Sequence, residues 1–208
     1  MKINRRDFLS LTGCCCGGFL LAGCSTAPIT GRQQFTILPE SMINSQAIGA
    51  YKQVKAKAKL IEDKDQLGPI IAVGQRIEKA IKHYFKSKNL KDPTENYDWE
   101  YILINDPKTL NAWCMPGGKI AFYSGILEVT KDENGLAAVM GHEIAHAVAR
   151  HSLERASAAP PYAISRTRNT VGQTTGMDVV QLGIFNPFSR YQESEADYLG
   201  IIFANLSG

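Results

Sequence analysis

The sequence predicts an α+β fold that is mainly helical, with a small antiparallel sheet placed before a helix that carries the run His142-Glu143-Ile144-Ala145-His146. Three observations support this prediction. Two long segments repeat apolar residues at helical spacing, and short apolar segments bounded by Pro and Gly follow them. The His-Glu-x-x-His run then lies in an uncharged, helix-forming stretch. With 208 residues, 44% of them hydrophobic, the chain can bury the core of one such domain.

Two amphipathic helices are predicted ahead of the sheet. The first covers 40–61, where apolar residues recur every three or four positions and lysines occupy the other face. The second begins near Pro69, a residue tolerated in the first turn of a helix, and ends at about Ser87. His83 on this helix has no second ligand type at helical or turn spacing, so we expect it at the surface.

The strand candidates are 99–105, 111–115 and 119–123, and the last two flank the breaker Pro116-Gly117-Gly118. They predict a small antiparallel sheet with one tight turn. Asp132 or Glu133 is expected to begin the long helix that continues through His146 to about Arg155.

The last third of the chain is less regular. Residues 157–176 are rich in Ala, Pro, Ser, Thr and Arg, and they predict a connection over the cleft. An apolar stretch covers 179–188. Ser189 is then placed to cap a final helix from Arg190 through Phe203.

The first residues carry a targeting pattern. Arg5-Arg6 precede an uncharged span that covers 8–31, which resembles a twin-arginine export signal, and Leu21-Ala22-Gly23-Cys24 resembles the lipobox of bacterial lipoproteins. We therefore expect an export signal over 1–23 and a lipidated tether and docking arm over 24–39, with the lipid on Cys24. An uncleaved transmembrane anchor is the alternative.

This pattern places the remaining chain in the cell envelope, anchored by lipid on the periplasmic side. Ser25 after the cysteine is typical of lipoproteins that proceed to the outer membrane. Of the five cysteines only Cys114 is left outside the leader and lipobox, and we expect it to be a buried small side chain.

Charge excludes one class of partner. The formal net charge is +3, and the leader supplies two of these charges through Lys2, Arg5 and Arg6 set against Asp7. The rest of the chain is nearly neutral, so nothing indicates a nucleic-acid-binding surface.

The two histidines of the metal motif lie four positions apart, so both imidazoles project from one helix face and can bind one ion. Glu143 beside them is better placed to reach a water at that ion than the ion itself. This spacing is typical of zinc peptidases.

A catalytic zinc site needs a third protein ligand. The metzincin pattern is excluded, because Ala149 and Ser152 occupy the positions where it requires Gly and His. His151 lies about 140° round a continuous helix from His146 and should face away. Glu193 and Asp197 share one face of the last helix, whereas Glu195 points elsewhere.

We therefore assign Glu193 as the third ligand. Asp197 is assigned as the acceptor for the outer N–H of a ligating histidine, which would fix its tautomer.

The chain resembles the HtpX/BepA-like zinc metalloproteases, the family that also holds the CaaX prenyl proteases and the mitochondrial Oma peptidase. The resemblance rests on five motifs: 28–32, 111–113, 116–120, the metal helix with Arg150-His151, and 189–190 together with 193–200. It implies a gluzincin-type domain over 40–208 that binds one Zn²⁺ per chain.

The resemblance also implies an activity. Glu143 would act as general base in peptide-bond hydrolysis, on misfolded or stalled envelope proteins as substrates. An extended substrate would lie in a cleft formed by Met115, Pro116, Gly117, Gly118, Lys119 and Ile120.

The chain ends eleven residues after Asp197, where the family continues, so we expect a C-terminally short domain. This leaves a second hypothesis open: a chaperone-like lipoprotein that binds unfolded envelope proteins without cleaving them.

Overall fold

The structure is a computed structural model that describes residues 24–159 and 188–208. The predicted export signal over 1–23 lies outside the described residues. So do most of the predicted connection over 157–176 and of the apolar stretch over 179–188.

The described elements follow one another in a simple order. The strands are β1 (Cys24–Thr26), β2 (Gln33–Phe35), β3 (Glu100–Ile104), β4 (Ala112–Met115) and β5 (Lys119–Tyr123). The helices are α1 (Glu40–Lys57), α2 (Lys64–Ser87), α3 (Leu127–Thr130), α4 (Glu133–Val148), α5 (His151–Ala158) and α6 (Arg190–Leu206), and one 3₁₀ turn covers Ser124–Ile126. The mainly helical α+β class predicted from the sequence is confirmed.

The first two helices lie where the apolar periodicity predicted them, but their ends differ from the predicted ones. α1 stops at Lys57 because Ala58 adopts an extended backbone that leads into a bridge between Leu60 and Ile104. α2 begins at Lys64, before Pro69, since the Asp63 side chain caps it by accepting bonds from two backbone N–H groups of the first turn.

The three-stranded sheet is mixed, so the prediction of an antiparallel sheet was wrong for one of its two strand pairs. β4 and β5 form the expected antiparallel hairpin, whose turn requires positive φ at Gly117 (+87°) and Gly118 (+80°). The strand order is β3-β5-β4, and β3 pairs with β5 in parallel. The loop after β3 leads the chain to β4, two strand positions away. The hairpin then brings β5 back into the position between β3 and β4.

α4 lies at the centre of the domain, where it packs against the sheet, α2 and α6. Side chains from all of these elements meet in one apolar core. Its fully buried members include Ile70, Val73, Ile77, Ile81, Leu103, Ile120, Phe122, Met140, Ile144, Leu199 and Phe203. The metal motif therefore lies on a helix that contributes many residues to this core.

α4 and α6 approach closely at two glycines. A Cβ on Gly141 would lie 2.7 Å from the carbonyl oxygen of Gly200, and a Cβ on Gly200 would lie 2.8 Å from the backbone nitrogen of His142. These contacts are below normal van der Waals separation, so only glycine allows the two helices to pack at this distance.

The long helix predicted to reach Arg155 is interrupted. α4 ends at Val148, Arg150 adopts a left-handed conformation with φ of +59°, and α5 starts in a new direction at His151. This correction changes where His151 points, as described below.

The segment after Cys24 docks on the helical core. β1 and β2 form a short antiparallel hairpin, and Gln34 from β2 is buried and donates a 2.6 Å hydrogen bond to the carbonyl oxygen of Ala149, at the break after α4. Cys24 itself is exposed. Over the described ranges, no helix combines the length and apolar character needed to cross a bilayer.

Candidate metal centre

Three side chains from two helices converge on one point. The Nε2 atoms of His142 and His146 on α4 lie 3.1 Å apart. A carboxylate oxygen of Glu193 on α6 lies 3.4 Å from His142 Nε2, and the other lies 3.9 Å from His146 Nε2. The metal-ligand cluster predicted from the sequence is confirmed, since these residues offer donor atoms that all lie within 4.8 Å of one another.

The donor geometry fits a tetrahedral zinc ion. With zinc–ligand bonds of about 2.0–2.1 Å, two ligand atoms of a tetrahedral site lie about 3.3 Å apart. The three observed separations of 3.1, 3.4 and 3.9 Å lie around this value. These three residues would hold the ion and would leave a fourth position for water or substrate.

The hydrogen-bond partners of the two histidines support the same interpretation. Asp197 Oδ1 lies 2.9 Å from His142 Nδ1, and His151 Nδ1 lies 2.8 Å from His146 Nδ1, so each histidine has a hydrogen-bond partner for an Nδ1–H. Both Nε2 lone pairs then face each other across 3.1 Å. Such an arrangement is repulsive without a cation between the nitrogens.

Asp197 is where the sequence placed it. It lies four residues after Glu193 on α6, and it meets the outer nitrogen of His142 rather than the ligand atoms. Its side chain is 68% exposed, so solvent competes for this hydrogen bond.

His151 was expected to face away from the metal, and that expectation was wrong. It is absent from the ligand cluster, as predicted. However, the break at Arg150 turns its fully buried ring toward the outer nitrogen of His146. His151 Nε2 in turn lies 3.0 Å from Glu195 Oε2.

Both residues were considered in the sequence but neither was assigned a role, because neither lies at a ligand spacing. Glu195 points away from the metal, as the sequence indicated, but its target could not be found from helical geometry.

An aromatic stack covers His146 on another side. The ring of Phe188 lies 3.9 Å from that of His146 at an angle of 18°, and the guanidinium carbon of Arg155 lies 4.3 Å from the centre of the Phe188 ring. The stack encloses the imidazole in apolar surroundings and leaves Nε2 directed at Glu193.

The protonation states suit metal binding. Burial, together with the neighbouring His151, His142 and Arg155, lowers the pKa of His146 to about 2, so its imidazole is neutral. Burial and then the negative charge of Glu193 raise the pKa of Glu143 to about 8. Glu143 therefore lies in surroundings that favour holding a proton, as a group that accepts and returns one requires.

The proposed substrate cleft needs revision. Its residues, Met115, Pro116, Gly117, Gly118, Lys119 and Ile120, are all buried. A Cβ on Gly117 would meet the side chain of Ile48, and one on Gly118 would meet Trp99 and Tyr97, so α1 and the segment before β3 cover the turn. These side chains cannot form an open wall.

β4 nevertheless lies beside the metal helix. It packs along α4, and its outer edge pairs with no other strand in the described ranges. Cys114 on β4 is buried, as expected, and burial followed by the charge of Glu143 raises the pKa of its thiol. β4, at the edge of the described sheet, and Glu143 are thus close together.

A His-Glu-x-x-His helix completed by a glutamate from a later helix defines the gluzincin class of metal site. The chain belongs to Peptidase family M48, whose sequence profile matches residues 72–208.

Curated relatives agree with this assignment. The chain is 34% identical over 181 residues to the mitochondrial metalloendopeptidase OMA1 of Schizosaccharomyces pombe, a match that covers 84% of this chain and 50% of that protein. It is 28% identical over 193 residues to the metalloprotease YcaL of Escherichia coli, covering 83% of this chain and 73% of YcaL.

A third relative is the Beta-barrel assembly-enhancing protease of E. coli. It is 26% identical over 178 residues, covering 76% of this chain and 33% of the relative. The chain spans about half the length of the fission yeast protein, and 59% of the corresponding OMA1 protein of Saccharomyces cerevisiae.

Proposed function

We propose that this protein is a zinc-dependent endopeptidase that binds one zinc ion and cleaves misfolded or stalled proteins of the cell envelope. The convergence of His142, His146 and Glu193, with Glu143 beside them, carries the proposal. Zinc suits a donor set of two neutral imidazoles and one carboxylate.

The mechanism divides the work among these residues. When bound, zinc supplies a Lewis acid that polarises the scissile carbonyl and acidifies a water molecule. Glu143 takes a proton from the attacking water and returns it to the leaving amine. Its raised pKa of about 8 favours the first of these transfers, because it makes the carboxylate a stronger base.

Substrate binding is assigned to β4, the strand at the edge of the described sheet, which packs along α4. An extended peptide would add to β4 through backbone hydrogen bonds once the contacts that bury its four residues open, and a peptide bond would then lie near Glu143. Recognition through the backbone is compatible with unfolded substrates of varied sequence. The buried turn at 116–118 would then support the edge strand without touching the substrate.

The names of the relatives support both parts of the proposal. The OMA1 proteins are metalloendopeptidases, and one bacterial relative is a protease that enhances the assembly of β-barrels. A role in the quality control of envelope proteins agrees with the export pattern of the first residues.

The location is part of the proposal. We place the protein on the periplasmic side of the outer membrane, held by lipid on Cys24, which is exposed at the start of the docked hairpin. Cys24→Ala should release the protein from the membrane fraction. Replacement of Arg5 and Arg6 by lysines should block delivery by the twin-arginine route, and unchanged delivery would remove that route.

The activity is tested by casein cleavage together with zinc content. We expect cleavage that a chelator abolishes and that falls by about 10²–10⁴-fold in Glu143→Gln, as for loss of a general base. Zinc should remain bound in this variant. Glu128→Gln, an exposed change close by in sequence, should leave both readouts unchanged.

The same experiment separates the alternative function. Stoichiometric zinc with no cleavage of casein or other unfolded proteins would favour the chaperone-like lipoprotein over the peptidase. Cleavage that persists in Glu143→Gln would exclude the proposed mechanism.

A further inference from the structure

A chain of hydrogen bonds leaves the metal centre through the protein interior. It starts at His146 Nδ1, passes through both ring nitrogens of His151, and reaches Glu195 Oε2, with separations of 2.8 and 3.0 Å. The two side chains beyond His146 are enclosed, since His151 is fully buried and Glu195 is 7% exposed.

Only one arrangement of protons satisfies every member. His146 must keep its Nε2 lone pair for the metal, so its Nδ1 carries the hydrogen and donates it to His151 Nδ1. His151 Nε2 then carries the other hydrogen and donates it to the Glu195 carboxylate. Each nitrogen has one role, and the buried negative charge accepts the last bond.

The outer end of the chain is held by the N-terminal hairpin. Arg32, between β1 and β2, donates through Nε to Glu195 Oε2 at 2.7 Å, and the Thr30 hydroxyl donates to the other oxygen of Glu195. Two further bonds of 2.7 Å join the Arg32 guanidinium to both oxygens of Glu154 on α5.

We propose that His151 and Glu195 are positioning residues for the metal ligand His146, and that Arg32 extends this support from the hairpin that follows Cys24. The inference rests on the proposed zinc site. It assigns the hairpin a second task besides linking the domain to its anchor, because the docked hairpin holds the outermost member of the hydrogen-bond chain.

Two physical effects follow from such a chain. A carboxylate acting through His151 makes the His146 imidazole a better donor to a metal, and the fixed ring orientation removes rotamers that cannot bind. Loss of an outer partner of this kind lowers metal affinity by about 10–100-fold. A residue that only filled space would not distinguish hydrogen-bonding from apolar replacements.

The experiment measures the zinc dissociation constant of the purified chain by competition with a chromophoric chelator. His151→Leu should weaken zinc binding by about 10–100-fold, whereas His151→Asn, whose Oδ1 takes the place of Nδ1, should recover much of it. His83→Leu, which removes an exposed histidine on α2, is the control.

A second pair of variants separates the hydrogen-bond chain from docking of the hairpin. Glu195 and Glu154 both bind Arg32, but of the two only Glu195 is hydrogen-bonded to His151. Glu195→Gln should weaken zinc binding by about tenfold or more and change the visible spectrum of the cobalt-substituted protein. Glu154→Gln should change neither by a comparable amount.

The outcomes distinguish the two proposals. If the unmodified protein binds no zinc, the proposed function fails together with this inference. If it binds zinc and Glu195→Gln binds it as tightly as Glu154→Gln does, the inference alone is overturned. Equal affinities of His151→Leu and His151→Asn in folded protein would also overturn it.

Discussion

The hydrogen-bond partners at the outer nitrogens of His142 and His146 differ in their exposure to solvent. Asp197, which holds His142, is 68% exposed in its side chain, whereas the partners of His146 are enclosed. Water can replace an exposed acceptor, so Asp197→Asn should weaken zinc binding by about tenfold, at the lower end of the range for such partners. Chelator competition measures this loss, and an effect larger than that of His151→Leu would contradict the ranking.

The lowered pKa of Glu154 predicts how the stability of the folded protein depends on pH. Burial alone raises the pKa of this carboxyl, but hydrogen bonds from Arg32 and Gln192 and the charge of Arg32 outweigh it, so the pKa lies below its usual 4.5. A carboxyl with a lowered pKa stabilises the folded state above its unfolded pKa. This contribution is lost as pH falls through the folded pKa.

The variant Glu154→Gln tests the direction of this pH dependence. At pH 7 it should lower the free energy of unfolding by about 1.5–3 kcal/mol, the usual value for a hydrogen bond to a charged group. Once the pH has fallen below the lowered folded pKa of Glu154, the difference from the unmodified protein should be much smaller, because both side chains are then neutral. Urea titrations at the two pH values measure it, and a constant difference would show that Glu154 contributes by packing alone.

Among the elements, α4 and α6 determine the metal centre through their separation. A methyl group on Gly200 would press on the backbone of His142 and push apart the helices that carry the three ligands. Gly200→Ala should lower the free energy of unfolding by about 1–3 kcal/mol, as overpacking does, and should weaken zinc binding as well.

A matched control exists on α1. Gly49 is exposed in the helix interior, and a Cβ there meets nothing within 4 Å. Gly49→Ala should raise the free energy of unfolding by about 0.5–1 kcal/mol through its better helix propensity. Stabilisation by both changes would contradict the close approach of α4 and α6.

The break between α4 and α5 is a second feature of the helices that shapes the site. Arg150 holds a left-handed conformation that costs a non-glycine residue about 1–2 kcal/mol. Arg150→Gly should therefore be neutral or stabilising despite the lost ion pair with Glu40, and Arg150→Val should destabilise by about 1 kcal/mol or more. Thermal unfolding measures both, and a stable Arg150→Val variant would argue for a continuous helix.

Local patterns predicted the elements but not this break. Helical spacing placed α1, α2 and α6, and Gly117 with Gly118 marked the hairpin turn, because these depend on neighbours in the chain. Nothing in the sequence marks Arg150, which is neither glycine nor proline. Its conformation is held by surroundings such as Gln34, which satisfies a carbonyl at the end of α4.

At the scale of the whole molecule, the predictable part of the site is the part that follows helix geometry. His142, His146, Glu193 and Asp197 could be found because four-residue spacing puts each pair on one face. The contact between Arg32 and Glu195 joins residues 163 positions apart, and no periodicity links them. The parallel pairing of β3 with β5 was missed for the same reason, since strand order is decided by packing.

The central claim is that two imidazoles and one distant carboxylate bind a single zinc ion. It is tested most directly by diffraction from zinc-loaded crystals at the zinc absorption edge. We expect one anomalous peak per chain, about 2.0–2.2 Å from Nε2 of His142, Nε2 of His146 and a carboxylate oxygen of Glu193. A zinc ion bound elsewhere, or bound by the histidines with Glu193 out of reach, would contradict the account.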